Sequence, residues 1–288
     1  MAEYEYRPVD VTASELAAVV GLFAAVWPDA RHLTVDYVRW LYAENPNGPV
    51  IGYNAWRGTA LAGHYVVIPI RARLHGQVVP AALSLNTAVH PAHQGKGLFT
   101  ELARRTYDEA RTRGAHHVIG VANANSTPGF LRKLEFHDLG PLDARILWSA
   151  PTLGPRAAPP AWERVWEPHD LAWRIRNPSR PYTLVARHGC RQILAPTGRY
   201  GLLALLKLDS PSEAAPLPGW AVHRPLLPRP MLWIGRSARV RFRALGGVRL
   251  PNRFRASPLN LIIRYLVPGT PPVAPEAVEF AAIDFDAY

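Results

Sequence analysis

An α/β architecture, with a mixed central sheet flanked by helices, follows from three observations on this sequence. Apolar runs of strand length alternate with amphipathic helical stretches through the first half of the chain. Residues 86–110, NTAVHPAHQGKGLFTELARRTYDEA, read as a strand, a glycine-bearing turn and a helix in immediate succession. A Pro/Ala stretch at 150–161, APTLGPRAAPPA, then separates a second set of strands and helices from the first. The expected organisation is a first domain at 1–149, a linker at 150–161 without regular structure, and a second α/β domain at 162–288.

Each element has a local cause. Tyr4 to Val9 alternates as a strand. Thr12-Ala13-Ser14-Glu15 has the form of a capping box opening an apolar helix to about Val26. A second helix, Thr34 to Ala43, stops before Asn45-Pro46, because a residue preceding proline is pushed out of the helical region. Strands at Val50 to Trp56 and Ala60 to Leu74 end in the glycine turns Arg57-Gly58 and His75-Gly76. Val78 to Val89 leads into the glycine loop, a helix starts near Leu98, and His116 to Ala122 is the next strand. A short helix, Thr127 to Leu134, and a strand opening at Phe136 complete the first half. Beyond the linker come a helix at His169 to Arg176 and strands at Tyr182 to Arg187, Gln192 to Ala195 and Tyr200 to Leu208. A Pro-rich segment, Ser210 to Pro218, precedes a tail of apolar strands and a helix.

The helix end Trp40-Leu41-Tyr42-Ala43-Glu44-Asn45-Pro46 is echoed by Trp173-Arg174-Ile175-Arg176-Asn177-Pro178, each followed by apolar strands. This weak repeat points to an internal duplication whose second copy carries no glycine loop.

With 48% hydrophobic residues over 288 positions, the chain can bury sizeable cores and is not a disordered sequence. No apolar run approaches the ~20 residues that cross a bilayer, and the opening MAEYEYRPVD carries no basic-then-apolar leader. A single cysteine, Cys190, excludes an intrachain disulfide and any cysteine-based zinc cluster. A cytoplasmic protein without a resident metal is expected. The net charge of +11 favours anionic partners, which include nucleic acid and phosphorylated small molecules.

At the loop Gln94-Gly95-Lys96-Gly97, two glycines let backbone N–H groups converge, and the helix behind adds the positive end of its dipole. That combination holds a phosphate or pyrophosphate, although a plain strand-to-helix corner also uses glycine. The spacing is neither a Walker loop nor a dinucleotide fingerprint. The order strand, Val89-x-Pro91, Gln94-Gly95-x-Gly97, helix resembles the acyl-CoA loop of the GNAT superfamily of N-acyltransferases. The resemblance extends over about residues 3 to 149.

The resemblance implies an acyl-CoA co-substrate, acetyl-CoA or another, and a small amine acceptor. It implies that the strand ending at Val89 pairs with the pantetheine arm. Backbone N–H groups from Gln94 through Gly95, Lys96, Gly97, Leu98 and Phe99 would cradle the pyrophosphate, with the Lys96 ammonium screening it. Asn125 sits where the family contacts the CoA arm, and is equally an ordinary helix cap. There are departures. Phe99 stands where the family has Gly or Ala, and Leu131 falls at the position of the tyrosine that protonates the leaving thiolate. The strand before the loop offers Ser84, Asn86 and Thr87 in place of a Glu base. Asn86 can orient an amine or a water, and His64 is the nearest titratable candidate for a base; a histidine paired inside the sheet is the competing reading. Asp284 and Asp286 could meet a cationic sugar amine from the second domain.

Arginines 236, 239, 241, 243, 249, 253 and 255 form a basic stretch that reads either as a solvated face or as a diphosphate or nucleic-acid platform. With two aromatics and no recognition motif, the stretch argues against nucleic acid. The functions open at this point are three. The first is N-acyl transfer to a small amine, an amino sugar or nucleotide-linked amino sugar given the two-lobed layout. The second is non-catalytic acyl-CoA binding, and the third is nucleic-acid association. Oligomeric state is not encoded legibly.

Overall fold

The computed structural model describes residues 4–285 except 157, 188–189, 200, 211–213, 215–216, 218–221, 224–228, 252–254 and 256. Compact units divide it differently from the sequence reading: one comprises 1–71, 79–138 and 261–270, the other 72–78, 139–260 and 271–288. Each unit therefore includes a segment remote in sequence from the rest of it.

In the first unit, β1 (Glu5–Pro8) and α1 (Ala13–Val26) precede α2 (Val35–Ala43). Three strands follow, β2 (Ile51–Arg57), β3 (Ala60–Leu74) and β4 (Gln77–Val89), the last two joined by a tight turn whose His75 and Gly76 both have positive φ. That is the turn handedness a twisted hairpin needs. A single 3-10 turn at Pro91–His93 leads to α3 (Leu98–Thr112), then β5 (His117–Ala122), α4 (Thr127–Lys133) and β6 (His137–Pro141). The sheet runs β1-β2-β3-β4-β5-β17-β6, where β17 (Asn260–Tyr265) arrives from late in the chain. β2 is antiparallel to β1 and β3, while β4 is parallel to β5, which makes the sheet mixed as expected.

One helix start departs from its sequence signature. Thr12 precedes α1 without a side-chain cap, and Glu15 reaches instead to the Asp10 N–H at 3.0 Å and to Asn54. Thr34 does cap α2, its hydroxyl accepting from the Tyr37 N–H. The core under α3 and α4 is built from Leu98, Leu102, Tyr107, Val118, Phe130 and Phe136 against Tyr65, Val67 and Ala82 of the sheet. Fully burying one such side chain is worth about 1.5–3 kcal/mol.

The second unit contains β7 (Asp143–Leu147), β8 (Thr152–Leu153), β9 (Trp162–Arg164), α5 (Pro168–Ile175), β10 (Thr183–Arg187), β11 (Cys190–Pro196) and β12 (Leu203–Asp209). It continues with β13 (Val222–His223), β14 (Met231–Arg236), β15 (Val240–Arg241), β16 (Gly247–Arg249) and β18 (Val278–Ala281). Strands β10, β11 and β12 form an antiparallel run, and β12 is parallel to β14, which also pairs with β7. Two expectations are corrected. The Pro/Ala stretch does carry regular structure, since Thr152 and Leu153 pair with β15. The tail holds 3-10 turns at Pro275–Ala277 and Ala282–Asp284, and no α-helix among the described residues. The Pro-rich segment 210–218 lies largely outside the described residues.

Candidate functional site

The site is built where β4 and β5 part. Their parallel pairing covers Ala82–Val118, Leu83–Ile119 and Ser84–Gly120, and both strands then continue without pairing to each other. β4 remains tied to β3, with the His90 N–H donating to the Ala62 carbonyl at 2.9 Å. Two residues past the fork, Asn86 adopts φ +51°, a left-handed conformation uncommon outside glycine.

The glycine loop follows within a few residues. Gly95 and Gly97 have φ +75° and +79°, and Gly97 is the residue before the first turn of α3. A side chain at either position meets open space, so the requirement is conformational and not steric. Gln94, Gly95, Lys96 and Gly97 are exposed. Helix geometry leaves the N–H groups at Leu98 and Phe99 pointing out of the helix end. Lys96 folds back, its ammonium 3.4 Å from the Ala92 carbonyl, and Gln94 donates to the Val89 carbonyl at 3.3 Å. The loop thus offers backbone donors, a helix dipole and one cation on an exposed surface, a fit for a pyrophosphate.

Phe99 has a clear role. Its ring stands edge-on to Phe130 at 5.1 Å and to Tyr65 at 6.2 Å, fastening the start of α3 to α4. A Cβ at Gly129 would lie 2.9 Å from the Phe99 ring, so the bulky residue at 99 is matched by glycine at 129. Asn123, not Asn125, organises the entry to α4: its Oδ1 accepts from the N–H groups of Asn125 and Ser126. Asn125 itself is exposed. Leu131 packs on the core, as a leucine must, and supplies no acid.

Asn86 and His64 are brought together by a third residue that sequence reading did not single out. Asn86 Nδ2 donates to the Tyr42 hydroxyl at 3.1 Å, and that hydroxyl lies 2.8 Å from His64 Nε2. His64 Nδ1 is 2.6 Å from Asn54 Oδ1, and Asn54 Nδ2 donates to Glu15 Oε1 at 2.6 Å. Tyr42, Asn54 and His64 are fully buried. Burial pushes the His64 imidazole down to about 3 and the Tyr42 phenol up, so both are neutral. His64 therefore does not meet an amine directly: it has no exposed surface and both ring nitrogens are occupied.

A second polar group reaches the fork. The Tyr65 hydroxyl lies 2.7 Å from Ser84 Oγ and 2.6 Å from the Tyr107 hydroxyl. Burial raises the Tyr65 phenol to about 12. Ser84 is the last residue of β4 paired with β5, so its hydroxyl sits at the opening with a neutral tyrosine pair behind it.

In the second unit, Asp284 is buried and committed, accepting from Trp166 Nε1 at 2.8 Å and from the Ala281 N–H at 2.7 Å. It is a structural acceptor, and Asp286 lies outside the described residues. The basic stretch is also largely internal wiring. Arg236 donates to the Pro275 and Pro141 carbonyls, Arg239 to Gly154, and Arg255 to Leu142 and Leu250, while Arg249 pairs with Asp143. β15 is only two residues long, so Arg239, Arg241 and Arg243 do not share one strand face, and Arg253 is outside the described residues. Among the described residues no group of side chains could hold a metal ion, and no helix is long and apolar enough to cross a membrane.

Residues 5–137 match the family model described as an acetyltransferase (GNAT) domain. That stretch, a little under half of the chain, is similar to GNAT acetyltransferase domains. Solved structures agree on the fold. A GCN5-related N-acetyltransferase from Kribbella flavida is 14% identical with a TM-score of 0.59, over 91% of this chain and 72% of that one. A second, from Anabaena variabilis ATCC 29413, is 12% identical with a TM-score of 0.56, over 91% and 73%. The N-myristoyltransferase of Saccharomyces cerevisiae, solved with bound myristoyl-CoA, is 10% identical with a TM-score of 0.53, over 73% and 66%. No curated protein sequence matches the chain. The likeness of residues 5–137 to this family supports an acyl-CoA-dependent N-acyltransferase.

Within residues 5–137, sequence reading missed Tyr42, Asn54, Glu15 and the Tyr65–Tyr107 pair. Tyr42 sits inside the apolar helix end that drew notice only as a repeat. Asn54 interrupts an otherwise apolar strand, and that polar residue in a buried run was the available signal.

Proposed function

We propose that this protein transfers an acetyl group from acetyl-CoA to the primary amine of a small molecule, an amino sugar or a nucleotide-linked amino sugar. The observation that carries the reading is the fork between β4 and β5 set beside the Gly95–Gly97 loop. In it, backbone from Ser84 to Val89 receives the pantetheine arm as a strand would. Loop and helix N–H groups from Gln94 to Phe99, with Lys96, hold the pyrophosphate, and exposed Asn125 is in reach of the arm. Asn86, in its left-handed conformation past the fork, meets the acceptor amine. The tetrahedral carbon forms as the amine attacks the thioester carbonyl. The C–S bond then breaks and CoA leaves as a thiolate, taking the proton that the amine loses. Ser84, backed by neutral Tyr65, is the donor at the fork that can meet the thiolate. Catalysis by positioning is in keeping with a site that holds no free carboxylate on β4. The amino-sugar acceptor rests on the two-unit layout alone. The lone buried Cys190 fits a cytoplasmic setting.

Two observations favour a second reading, a non-catalytic acyl-CoA binder: Leu131 is core-packed where an acid would help, and β4 from Leu83 to Val89 carries no carboxylate. Thermal unfolding with and without acetyl-CoA, beside Gly97→Glu and an ATP control, tests the cofactor site. Ligand at ~100 times its dissociation constant adds about 2.7 kcal/mol. A shift that vanishes in the variant supports the site, and an equal shift with every polyanion refutes it. Thiol release from acetyl-CoA across a panel of amino sugars and simple amines then separates enzyme from binder.

A further inference from the structure

We propose that Tyr42, His64, Asn54 and Glu15 form a one-way hydrogen-bond chain whose purpose is to fix the orientation of the Asn86 amide at the strand fork, so that its Oδ1 is turned to the acceptor amine. The inference rests on the acyltransferase reading for the identity of the amine, and on geometry for everything else.

The direction of the chain is forced from its far end. Glu15 is a carboxylate and only accepts, so Asn54 must show it the NH2 side. Asn54 Oδ1 then faces His64 Nδ1, which must carry a hydrogen to make a bond at 2.6 Å. With the imidazole neutral, Nε2 is bare and accepts the Tyr42 O–H. The Tyr42 oxygen is left as an acceptor, and the Asn86 NH2 group fills it. Every bond runs from Asn86 toward Glu15. Reversing the Asn86 amide would set an oxygen against an oxygen with no hydrogen between them.

The surroundings leave few alternatives. His64 is stacked on Tyr42 at 5.8 Å between ring centres and edge-on to Phe23 at 5.5 Å, and the groups facing it from α1, α2 and β2 are Phe23, Tyr42 and Asn54, none of them charged. Asn86 meanwhile is half-buried and held at φ +51°. One N–H of its amide is spent inward on Tyr42, which fixes the amide so that its carbonyl oxygen lies on the side away from Tyr42. An amide oxygen accepts one N–H of an attacking amine and aims the nitrogen lone pair, which is orientation and not proton removal. Tyr42, His64, Asn54 and Glu15 are positioning residues; the amine is touched by Asn86 alone.

Two measurements on the full chain decide this. The first is the tautomer of His64 from 15N chemical shifts at neutral pH, expected as Nδ1–H, together with the side-chain amide resonances of Asn86 in wild type and Tyr42→Phe. An Nε2–H tautomer, or Asn86 amide signals unmoved by Tyr42→Phe, overturns the chain whether or not any amine is turned over. The second is a double-mutant cycle on acyl transfer. Tyr42→Phe should lower kcat/KM for the amine about tenfold with KM for acetyl-CoA unchanged, and should cost nothing further in an Asn86→Ala background. At the far end, Glu15→Leu should reproduce much of the Tyr42→Phe loss. Additive losses from Tyr42→Phe and Asn86→Ala, or a rate untouched by Glu15→Leu, refute it. If the protein turns over no amine, the acyltransferase reading fails and the tautomer measurement still judges the chain.

Discussion

Acid should weaken this protein in a way that His64 makes measurable. The imidazole is fully buried and held to about 3 by desolvation, against 6.5 for an unperturbed histidine. Its folded value lies below its unfolded one, so as pH falls through 6.5 the unfolded chain takes up a proton that the folded chain refuses. Stability is lost progressively from there down to the folded value, at about 1.4 kcal/mol per pH unit. Between about pH 7 and pH 5 the loss from this one residue is therefore ~2 kcal/mol. His117, also held to about 3 by burial and by its neighbour His116, adds a loss of the same sign. The assay is urea unfolding at a series of pH values for wild type and His64→Gln. Glutamine cannot titrate, so its curve should fall less steeply. The variant is less stable at neutral pH, where it loses bonds to Tyr42 and Asn54, and the gap should close by ~2 kcal/mol on acidification to about pH 5. Curves that stay parallel over that interval would show an imidazole that accepts a proton in the folded state. The directed chain to Asn86 would then be untenable as well.

Other expectations follow from single contacts. Alanine is a better helix former than glycine by ~1 kcal/mol, yet Gly129→Ala should destabilise, because its Cβ would stand 2.9 Å from a Phe99 ring packed against Phe130 and Tyr65. In a Phe99→Ala background the same substitution should turn stabilising by ~1 kcal/mol, and denaturant midpoints report the change of sign. Asn123→Ala removes the acceptor for the Asn125 and Ser126 N–H groups and should cost ~1 kcal/mol of stability by thermal unfolding. Acetyl-CoA affinity should survive Asp284→Asn, a change confined to the second unit's Trp166 and Ala281 contacts, and isothermal calorimetry checks it.

Much of the N-terminal half was legible because local chemistry and tertiary structure agree there. Asn45-Pro46, Thr34 and the His75-Gly76 turn each fix an element end by themselves, and α3 begins at Leu98 as its glycine loop implies. The parts that were not legible depend on partners far apart in sequence. Glu15 belongs by pattern to a capping box, but Asn54 competes for its carboxylate and wins. His64 looks like a base until the fold closes Tyr42 and Asn54 over both its nitrogens. Phe99 stood out as a departure from the family's small residue, and its packing depends on Gly129, thirty residues on. The arginine stretch shows the same limit: carbonyls at Pro141, Leu142, Gly154 and Pro275 claim side chains whose sequence suggests an open platform.

The repeated helix ends carry the argument about how the second unit arose. Asn45 and Asn177 do the same work: each is buried, and each Oδ1 accepts an N–H two residues on, from Asn47 and from Ser179. After the first come β2, β3 and β4, with β4 parallel to β5; after the second come β10, β11 and β12, with β12 parallel to β14. Beside β5 lies β17 from the chain's later part, and beside β14 lies β7 from its earlier part. Chance matching of one Asn-Pro pair would not reproduce the strand order, the switch from antiparallel to parallel and a strand taken from the other half. We infer duplication of one α/β plan with reciprocal exchange of a strand. The sequence between β4 and β5 holds Gly95 and Gly97, whereas the sequence of residues 210–230, between β12 and β14, contains Gly219 alone. A single glycine cannot supply the paired left-handed turns that open the donor loop, so acyl-CoA is expected to bind one unit only. A binding stoichiometry of two per chain would contradict that.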